Sequence, residues 1–186
     1  MSAQMAIDRT EIRLAGEGGQ GMILAGIILA EAAAIYDGKN AVQTQSYGPE
    51  ARGGASRAEV VIADGEIDHP EVLEADVLVA LSQEAYQKYY TTVKADGLLI
   101  VDSDEIKAAP DRAIKIPISK LAIETTGKAI TANTVALGIL VGLTGIVSPE
   151  AIEKAVAARA PKGTEEMNRK ALAAGFQAAE QVKASP

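Results

Sequence analysis

The segment Glu11-Ile12-Arg13-Leu14-Ala15-Gly16-Glu17-Gly18-Gly19-Gln20-Gly21 carries the strongest architectural signal in this chain of 186 residues. Its first five residues alternate between polar and apolar side chains, a pattern that predicts a β-strand. The glycines at positions 16, 18 and 21 then match G-x-G-x-x-G. Residues 20–36 are rich in Ala, Leu and Ile and contain no proline, which predicts a helix. A strand, a glycine-rich turn and a helix in this order are typical of α/β folds that bind anions at the helix start.

Each glycine of this turn has an expected role. Gly16 would permit the tight turn, Gly18 would let a ligand approach the backbone, and Gly21 would let the helix pack on the strand. The free N–H groups of the helix start would then face a phosphate or another anion. On the purely structural interpretation, the glycines serve only the turn and its packing.

A nicotinamide dinucleotide is a poor match for this turn. Dinucleotide-binding units usually carry a carboxylate at the end of the second strand, about twenty residues on, for the ribose hydroxyls. Here that strand ends in Gln43-Thr44-Gln45, and Asp37 falls before it. NAD binding is therefore disfavoured, whereas a phosphate or a partner surface fits.

Strands and helices alternate along the rest of the chain. The continuous apolar run at residues 77–81 predicts a strand that is buried on both faces, as in parallel sheets. We expect an α/β fold, a Rossmann-like three-layer sandwich with a mostly parallel sheet and helices on both faces, and a single domain at 1–186. Further strands are predicted at residues 41–45, 57–62, 97–102 and 114–117, and helices at 83–90, 119–126, 133–143, 149–160 and 165–183.

A second glycine-rich loop, Ser46-Tyr47-Gly48-Pro49-Glu50-Ala51-Arg52-Gly53-Gly54-Ala55, follows the second predicted strand. We expect both loops at the same edge of the sheet, where open α/β folds build their sites. Arg52 would either face a phosphate or carboxylate or pair with Glu50, and an exposed pair contributes under about 1 kcal/mol. Tyr47 would anchor an interface or cover the core.

Composition removes several classes of function. A net charge of −7 argues against a nucleic-acid partner. Because the chain has no cysteine, it has no thiolate that could hold an iron–sulfur cluster or a zinc ion. The N-terminus shows no signal peptide, and the apolar run at residues 135–147 is too short to cross a bilayer. A cytoplasmic protein with no membrane partner is expected.

Two predicted helical stretches, residues 22–30 and 135–147, are apolar or small on every face. Each is either a central helix covered by its neighbours or part of a subunit interface. Their occurrence together favours oligomerisation, so the chain is expected to form a homodimer or to depend on a partner.

The combined motifs resemble the gamma subunit of 2-oxoacid:ferredoxin oxidoreductases, in the family that includes domain III of pyruvate:ferredoxin oxidoreductase. The resemblance covers nearly the whole chain. The chain looks most similar to the short, separate gamma subunit of 2-oxoglutarate-type enzymes. It rests on the two glycine-rich segments and on Ala75-Asp76-Val77-Leu78-Val79-Ala80-Leu81-Ser82 and Ala132-Asn133-Thr134-Val135-Ala136-Leu137-Gly138.

This resemblance implies a complex that oxidatively decarboxylates a 2-oxoacid with coenzyme A, giving an acyl-CoA, CO2 and reduced ferredoxin. Thiamine diphosphate, Mg2+ and iron–sulfur clusters would belong to other subunits, so no cofactor is bound by this chain alone. The implied partners are a thiamine-binding beta subunit, an alpha subunit and a ferredoxin-type delta subunit, with ferredoxin reached through the complex. Substrate choice would be made largely by those partners.

No catalytic or metal-binding residue is expected in this chain, and His69 is predicted to be an exposed loop residue outside the site. Arg57, at the base of the second loop, is a further candidate for contact with ligand. The competing classes are a stand-alone nicotinamide- or flavin-binding Rossmann-like protein and a pure scaffold subunit. The predicted cofactor-binding residues line the path of coenzyme A: Gly16, Gly18, Gly19, Gln20, Gly21, Tyr47, Gly48, Glu50, Arg52 and Gly53.

Overall fold

The computed structural model describes residues 9–48 and 54–186. The strands are β1 (Arg9–Glu17), β2 (Asn40–Ser46), β3 (Ala55–Ala63), β4 (Ala75–Ala80), β5 (Val93–Asp102) and β6 (Ile114–Ile116). The helices are α1 (Met22–Glu31), α2 (Gln83–Tyr89), α3 (Ile118–Thr126), α4 (Ala132–Thr144), α5 (Pro149–Arg159) and α6 (Glu165–Ala184). Within these residues, no helix is both long enough and apolar enough to cross a membrane.

The six strands form one sheet in the order β2-β3-β1-β4-β5-β6. The pairs β1–β4, β4–β5 and β5–β6 are parallel, whereas β3 is antiparallel to both β1 and β2. The predicted mostly parallel sheet is thus confirmed, with β3 as its reversed strand. The reversal follows from chain length, because a parallel crossover needs a dozen or more residues and fewer separate β2 from β3.

Helices cover both faces of the sheet, as predicted, but unevenly. One face carries α1, α3, α4, α5 and α6 over an aliphatic core, and the other carries α2 and loop segments. Strand β4 shows the division: Val77 and Val79 enter the first core, while Leu78 and Ala80 enter the second. A strand buried on both faces explains its uninterrupted apolar sequence.

Helix α4 is the central helix of the thick layer. Every residue from 132 to 141 is buried, so residues 135–141 of this apolar stretch are covered by the same chain. Its contact with α6 is made backbone to backbone, since a Cβ on Gly175 would overlap the carbonyl oxygen of Val135. A Cβ on Gly138 would likewise overlap the carbonyl oxygen of Leu172. The other apolar stretch, in α1, is different, because Leu24 is 37% exposed.

Local signals explain most helix boundaries. Ser82 and Ser148 cap α2 and α5, each accepting a hydrogen bond from a backbone N–H three residues later. The predicted continuous helix at residues 20–36 is wrong at both ends. It begins at Met22, and after Glu31 it widens into a π-helical turn, Ala32–Tyr36, closed by the N–H of Asp37 on the carbonyl of Ala32.

Candidate functional site

The two glycine-rich segments meet at one edge of the sheet, which we call the rim: residues 16–21, 46–48 and 54–57. Glu17 at the end of β1 pairs in register with Ala55 at the start of β3. The N–H of Gly18 donates to the carbonyl oxygen of Gly54 at 3.2 Å. The predicted convergence of both loops on one edge is therefore confirmed.

The side chain of Gln20 folds back over the first turn. Its Oε1 accepts from the N–H of Glu17 at 2.6 Å, and its Nε2 donates to the carbonyl of Leu81 at 3.2 Å. Gly16 is needed for this arrangement, because a Cβ there would lie 2.6 Å from Gln20 Oε1. Gly16 belongs to β1 and has no positive φ, so its role is close approach and not the tight turn expected from sequence.

The left-handed residues of the turn are Gly19 and Gly21, with φ of 92° and 78°. Gly21 is the N-cap of α1, which is why the helix begins at Met22. The expected role of Gly21, packing helix on strand, is replaced by a contact with another helix. A Cβ on Gly21 would lie 2.6 Å from Nδ2 of Asn133, and that same Nδ2 donates to the carbonyl of Gly21 at 3.2 Å.

Asn133 links the rim to the helical layer, and sequence reasoning did not select it as a site residue. Its Oδ1 accepts from the N–H of Thr134 at 2.8 Å, and Thr134 Oγ1 donates to Oδ1 of Asn168 at 3.1 Å. Asn133 and Thr134 are both buried. The signal that could have found this residue is a carboxamide at the start of an otherwise apolar helix, where a polar side chain needs a partner.

Backbone donors of the turn divide into used and open groups. The N–H groups of Glu17, Gly18 and Gln20 are satisfied within the turn and by Gly54. No hydrogen bond within the described residues occupies the N–H groups of Gly19 or Gly21. The first turn of α1 adds further donors without intrahelical partners and the positive end of its dipole. The rim therefore offers backbone donors suited to an anion.

The second loop is described only at its two ends. The side chain of Tyr47 is 70% exposed, and Gly48 is half-buried beside it. Gly54 returns the chain to β3 with a φ of 75°. The remaining predicted site residues, Glu50, Arg52 and Gly53, lie outside the described residues.

Arg57 contacts a carboxylate and an aromatic ring. Its Nε lies 3.2 Å from Glu59 Oε1, and its guanidinium carbon stands 5.5 Å from the ring centroid of Tyr89. Glu59 also binds the buried Arg13, whose Nε is 3.1 Å away and whose Nη2 donates to the carbonyl of Val72. These contacts place Arg57 in a cluster with Arg13, Glu59 and Tyr89 on the face of the sheet that carries α2.

Asp37 and His69 both lie at the opposite edge of the sheet. Asp37 precedes β2, and its carboxylate accepts from the N–H and Oγ of Ser148 at 2.6 and 2.7 Å, so it caps α5. The exposed ring of His69 lies 3.2 Å from Nη2 of Arg9, at the amino end of β1, which confirms its predicted exposure. Neither residue can serve a ligand at the rim.

The displaced pKa values lie in structural contacts and not at the rim. A hydrogen bond from Lys94 to Asp76 raises the pKa of that lysine, and burial raises the pKa of Tyr86. Residues 9–48 and 54–186 also contain no group of three or more His, Asp or Glu side chains placed to hold a metal ion. None of the displaced pKa values therefore marks an acid–base pair among the described residues of the rim.

Comparisons with known proteins identify related sequences. The family model of pyruvate ferredoxin/flavodoxin oxidoreductase matches residues 11–178. The 2-oxoglutarate synthase subunit KorC of Methanocaldococcus jannaschii is 52% identical over 179 residues, which cover 94% of this chain and 96% of the relative.

Solved structures show the same fold. The gamma subunit of keto/oxoacid ferredoxin oxidoreductase from Geobacter sulfurreducens superposes with a TM-score of 0.85 at 52% identity, covering 93% of this chain and 97% of that one. A 2-oxoglutarate:ferredoxin oxidoreductase from Magnetococcus marinus, solved with 2-oxoglutarate, coenzyme A and succinyl-CoA bound, has a TM-score of 0.82. It is 24% identical and matches 93% of this chain but 31% of its own, so this likeness shows the fold alone.

Proposed function

Because the chain belongs to the pyruvate ferredoxin/flavodoxin oxidoreductase family, we propose that it is the gamma subunit of a 2-oxoacid:ferredoxin oxidoreductase. The proposed 2-oxoacid is 2-oxoglutarate, since relatives at 52% identity are 2-oxoglutarate synthase subunits that match over nearly their full length. The complex would convert the 2-oxoacid and coenzyme A to the acyl-CoA, CO2 and reduced ferredoxin in the cytoplasm.

This subunit would bind and position coenzyme A, and other subunits would carry out the redox chemistry. With no cysteine, the chain has no thiolate ligand for an iron–sulfur cluster. Its sequence also has no Gly-Asp-Gly motif followed by an asparagine that would hold thiamine-bound magnesium. Thiamine diphosphate with Mg2+ would therefore reside on the beta subunit and the clusters on a ferredoxin-type delta subunit, with an alpha subunit completing the complex. Alone, the chain would be inactive.

The observation that carries the binding role is the junction of Gly18 and Gly54 at the rim. The open N–H groups of Gly19 and Gly21 and the guanidinium of Arg52 would hold the phosphates of coenzyme A as it reaches the thiamine site. Residues of the second loop would form the wall of that path: Tyr47, Gly48, Glu50 and Gly53. Gly16 and Gln20 would act indirectly, by shaping the turn.

The test is to assemble the complex with Arg52→Ala and to measure steady-state kinetics and subunit retention. A charge-assisted phosphate contact is worth roughly 1.5–3 kcal/mol, so we expect the KM for coenzyme A to rise by about tenfold or more. The KM for the 2-oxoacid should change little. The matched control is Arg169→Ala, which removes an exposed arginine on α6 paired with Glu166.

An unchanged KM together with unchanged assembly would reject the binding role and leave the scaffold interpretation. Loss of assembly alone would assign Arg52 to a subunit contact. The stand-alone dehydrogenase predicts a thermal shift of the isolated chain with NAD(P), which we do not expect, because Asp37 is engaged with Ser148 and no carboxylate ends β2.

A further inference from the structure

Asn133 is a buried carboxamide on the first turn of the mainly apolar helix α4. Only 6% of the residue is exposed. Asparagine is a weak helix former, and a buried amide is costly unless its groups are hydrogen-bonded. Its presence therefore has to be explained by what the side chain contacts.

The hydrogen bonds of Asn133 are compatible with one orientation of its amide. The Oδ1 atom accepts from the N–H of Thr134 at 2.8 Å, and the Nδ2 atom donates to the carbonyl oxygen of Gly21 at 3.2 Å. Exchanging the two atoms would set the amino group of the carboxamide against an N–H and its oxygen against a carbonyl. The amide is therefore a donor toward the rim.

Gly21 depends on this side chain for its immediate surroundings. The three heavy atoms nearest to its Cβ position are Nδ2, Cγ and Cβ of Asn133, at 2.6, 3.0 and 3.4 Å. At Gly19, by contrast, no atom of the described residues lies within 4 Å of the equivalent position. Because glycine rotates easily about both backbone torsions, the peptide groups beside Gly21 would be loosely held without Asn133.

The carbonyl of Gly21 also determines the direction of an open donor. It shares a planar trans peptide group with the N–H of Met22, which points the opposite way. This N–H is at the first position of α1 and has no intrahelical partner. The same carbonyl accepts from the N–H of Ala25 at 3.0 Å, but hydrogen bonds at helix ends fray. The bond from Asn133 therefore adds the constraint that the end of α1 needs.

Asn133 is itself supported from the side away from the rim. Thr134 Oγ1 donates to Oδ1 of Asn168 at 3.1 Å, and Nδ2 of Asn168 donates to the carbonyl of Thr164 at 3.0 Å. These bonds connect α4 to α6 and do not involve Gly21. They can therefore be broken separately from the contact at the rim.

We propose that Asn133 is a positioning residue of the coenzyme A site. By holding Gly21, it keeps the N–H groups of Gly21 and Met22 directed at a bound phosphate. Asn133 is buried, so it would act through the glycine and would not touch the ligand. This inference rests on the proposed function, because it requires the phosphates of coenzyme A at the rim.

The experiment compares Asn133→Ala with Thr134→Val in the assembled complex. The second variant is the matched control, because it removes the bond to Asn168 from an equally buried neighbour and leaves the Gly21 contact in place. We expect Asn133→Ala to raise the KM for coenzyme A about fivefold, with kcat and the KM for the 2-oxoacid little changed. Thr134→Val should leave all three values near those of wild type.

Asn133→Asp is a second variant that keeps the volume of the side chain. Its carboxylate still accepts from the N–H of Thr134 but cannot donate to Gly21, so the KM for coenzyme A should rise at least as much. Hydrogen exchange of residues 17–28 in the complex without coenzyme A gives a readout that is independent of the ligand. Exchange should be faster in both Asn133 variants and unchanged in Thr134→Val.

The outcomes separate this inference from the proposed function. If Arg52→Ala raises the KM for coenzyme A and neither Asn133 variant does, the positioning role is wrong and the binding role stands. If none of the three variants raises it, binding at the rim is rejected and the positioning role with it. Equal increases in Asn133→Ala and Thr134→Val, or failure of both Asn133 variants to assemble, would assign Asn133 to the stability of the fold alone.

Discussion

The side-chain amide of Asn133 donates to the carbonyl of Gly21, and it occupies the space that a Cβ on Gly21 would need. The two residues are 112 positions apart in the chain. The contact ties the N-terminus of α1 to the N-terminus of α4, and so it fixes the direction in which the open N–H groups of the turn point.

Gly21→Ala should destabilise the protein by about 1–3 kcal/mol, since a non-glycine residue at a φ of 78° is strained. The added methyl group also meets Asn133 Nδ2 at 2.6 Å. Urea unfolding of Gly21→Ala, Asn133→Ala and the double variant measures both effects. The double variant should cost less than the sum of the singles, and strict additivity would contradict the steric part.

Gly175→Ala should also destabilise, although helix propensity alone favours alanine by about 1 kcal/mol in a helix interior. The reason is overlap of the new Cβ with the carbonyl of Val135, which separates α6 from α4. We expect a loss of about 1–3 kcal/mol in denaturant unfolding. The control, Ala173→Gly on the exposed side of α6, should cost about 1 kcal/mol through propensity only. A stabilised Gly175→Ala variant would refute the close helix contact.

Gln20→Glu should impair coenzyme A use more than Gln20→Ala does. The glutamate keeps an acceptor for the N–H of Glu17 but cannot donate to Leu81, and it adds a negative charge beside the proposed phosphate site. We expect the KM for coenzyme A to rise by about tenfold, or ~1.4 kcal/mol, relative to Gln20→Ala in the assembled complex. Equal KM values for the two variants would show that the phosphates of coenzyme A do not bind at the rim.

Lys94→Met should lower stability at neutral pH and not at high pH. The hydrogen bond and charge of Asp76 raise the pKa of Lys94, whose Nζ lies 2.6 Å from Asp76 Oδ1. A raised folded-state pKa contributes stability below the unfolded pKa, and that stability is lost as pH rises through the folded pKa. Because Lys94 is 39% exposed, the effect should stay under about 1 kcal/mol.

The measurement for Lys94 is urea unfolding of both proteins from neutral to alkaline pH. The difference should be constant below about pH 10 and should vanish at higher pH. A difference that stays unchanged through the alkaline range would show that the lysine stem, and not its charge, stabilises the fold.

Local signals account for what sequence reasoning predicted well. Signals within a few adjacent residues predicted three features: the strand before the first glycine turn, the buried strand β4, and the serine caps of α2 and α5. The convergence of the two loops at one rim was expected because open α/β folds place the loops that build their sites at one edge of the sheet. These features depend on periodicity, capping and turn chemistry, which act over a few residues.

The missed features depend on tertiary contacts. The π-helical turn at Ala32–Tyr36 has no local signature, and the role of Asn133 requires Gly21 beside it. Arg57 was a candidate for contact with ligand, and its contacts with Glu59 and Tyr89 could not be read from the sequence. The direction of β3 was readable from the short β2–β3 connection, which the prediction of a mostly parallel sheet did not take into account.

The reversal of β3 has a consequence for how such subunits can diversify. The segment at residues 47–54 joins β2 to β3. These two strands pair without a break from Ser46 opposite Arg57 to Asn40 opposite Ala63. The length and composition of this segment can therefore change as a cassette, without moving any helix or crossover of the sheet. Loop exchange between related chains should therefore leave the sheet and its helices unaltered.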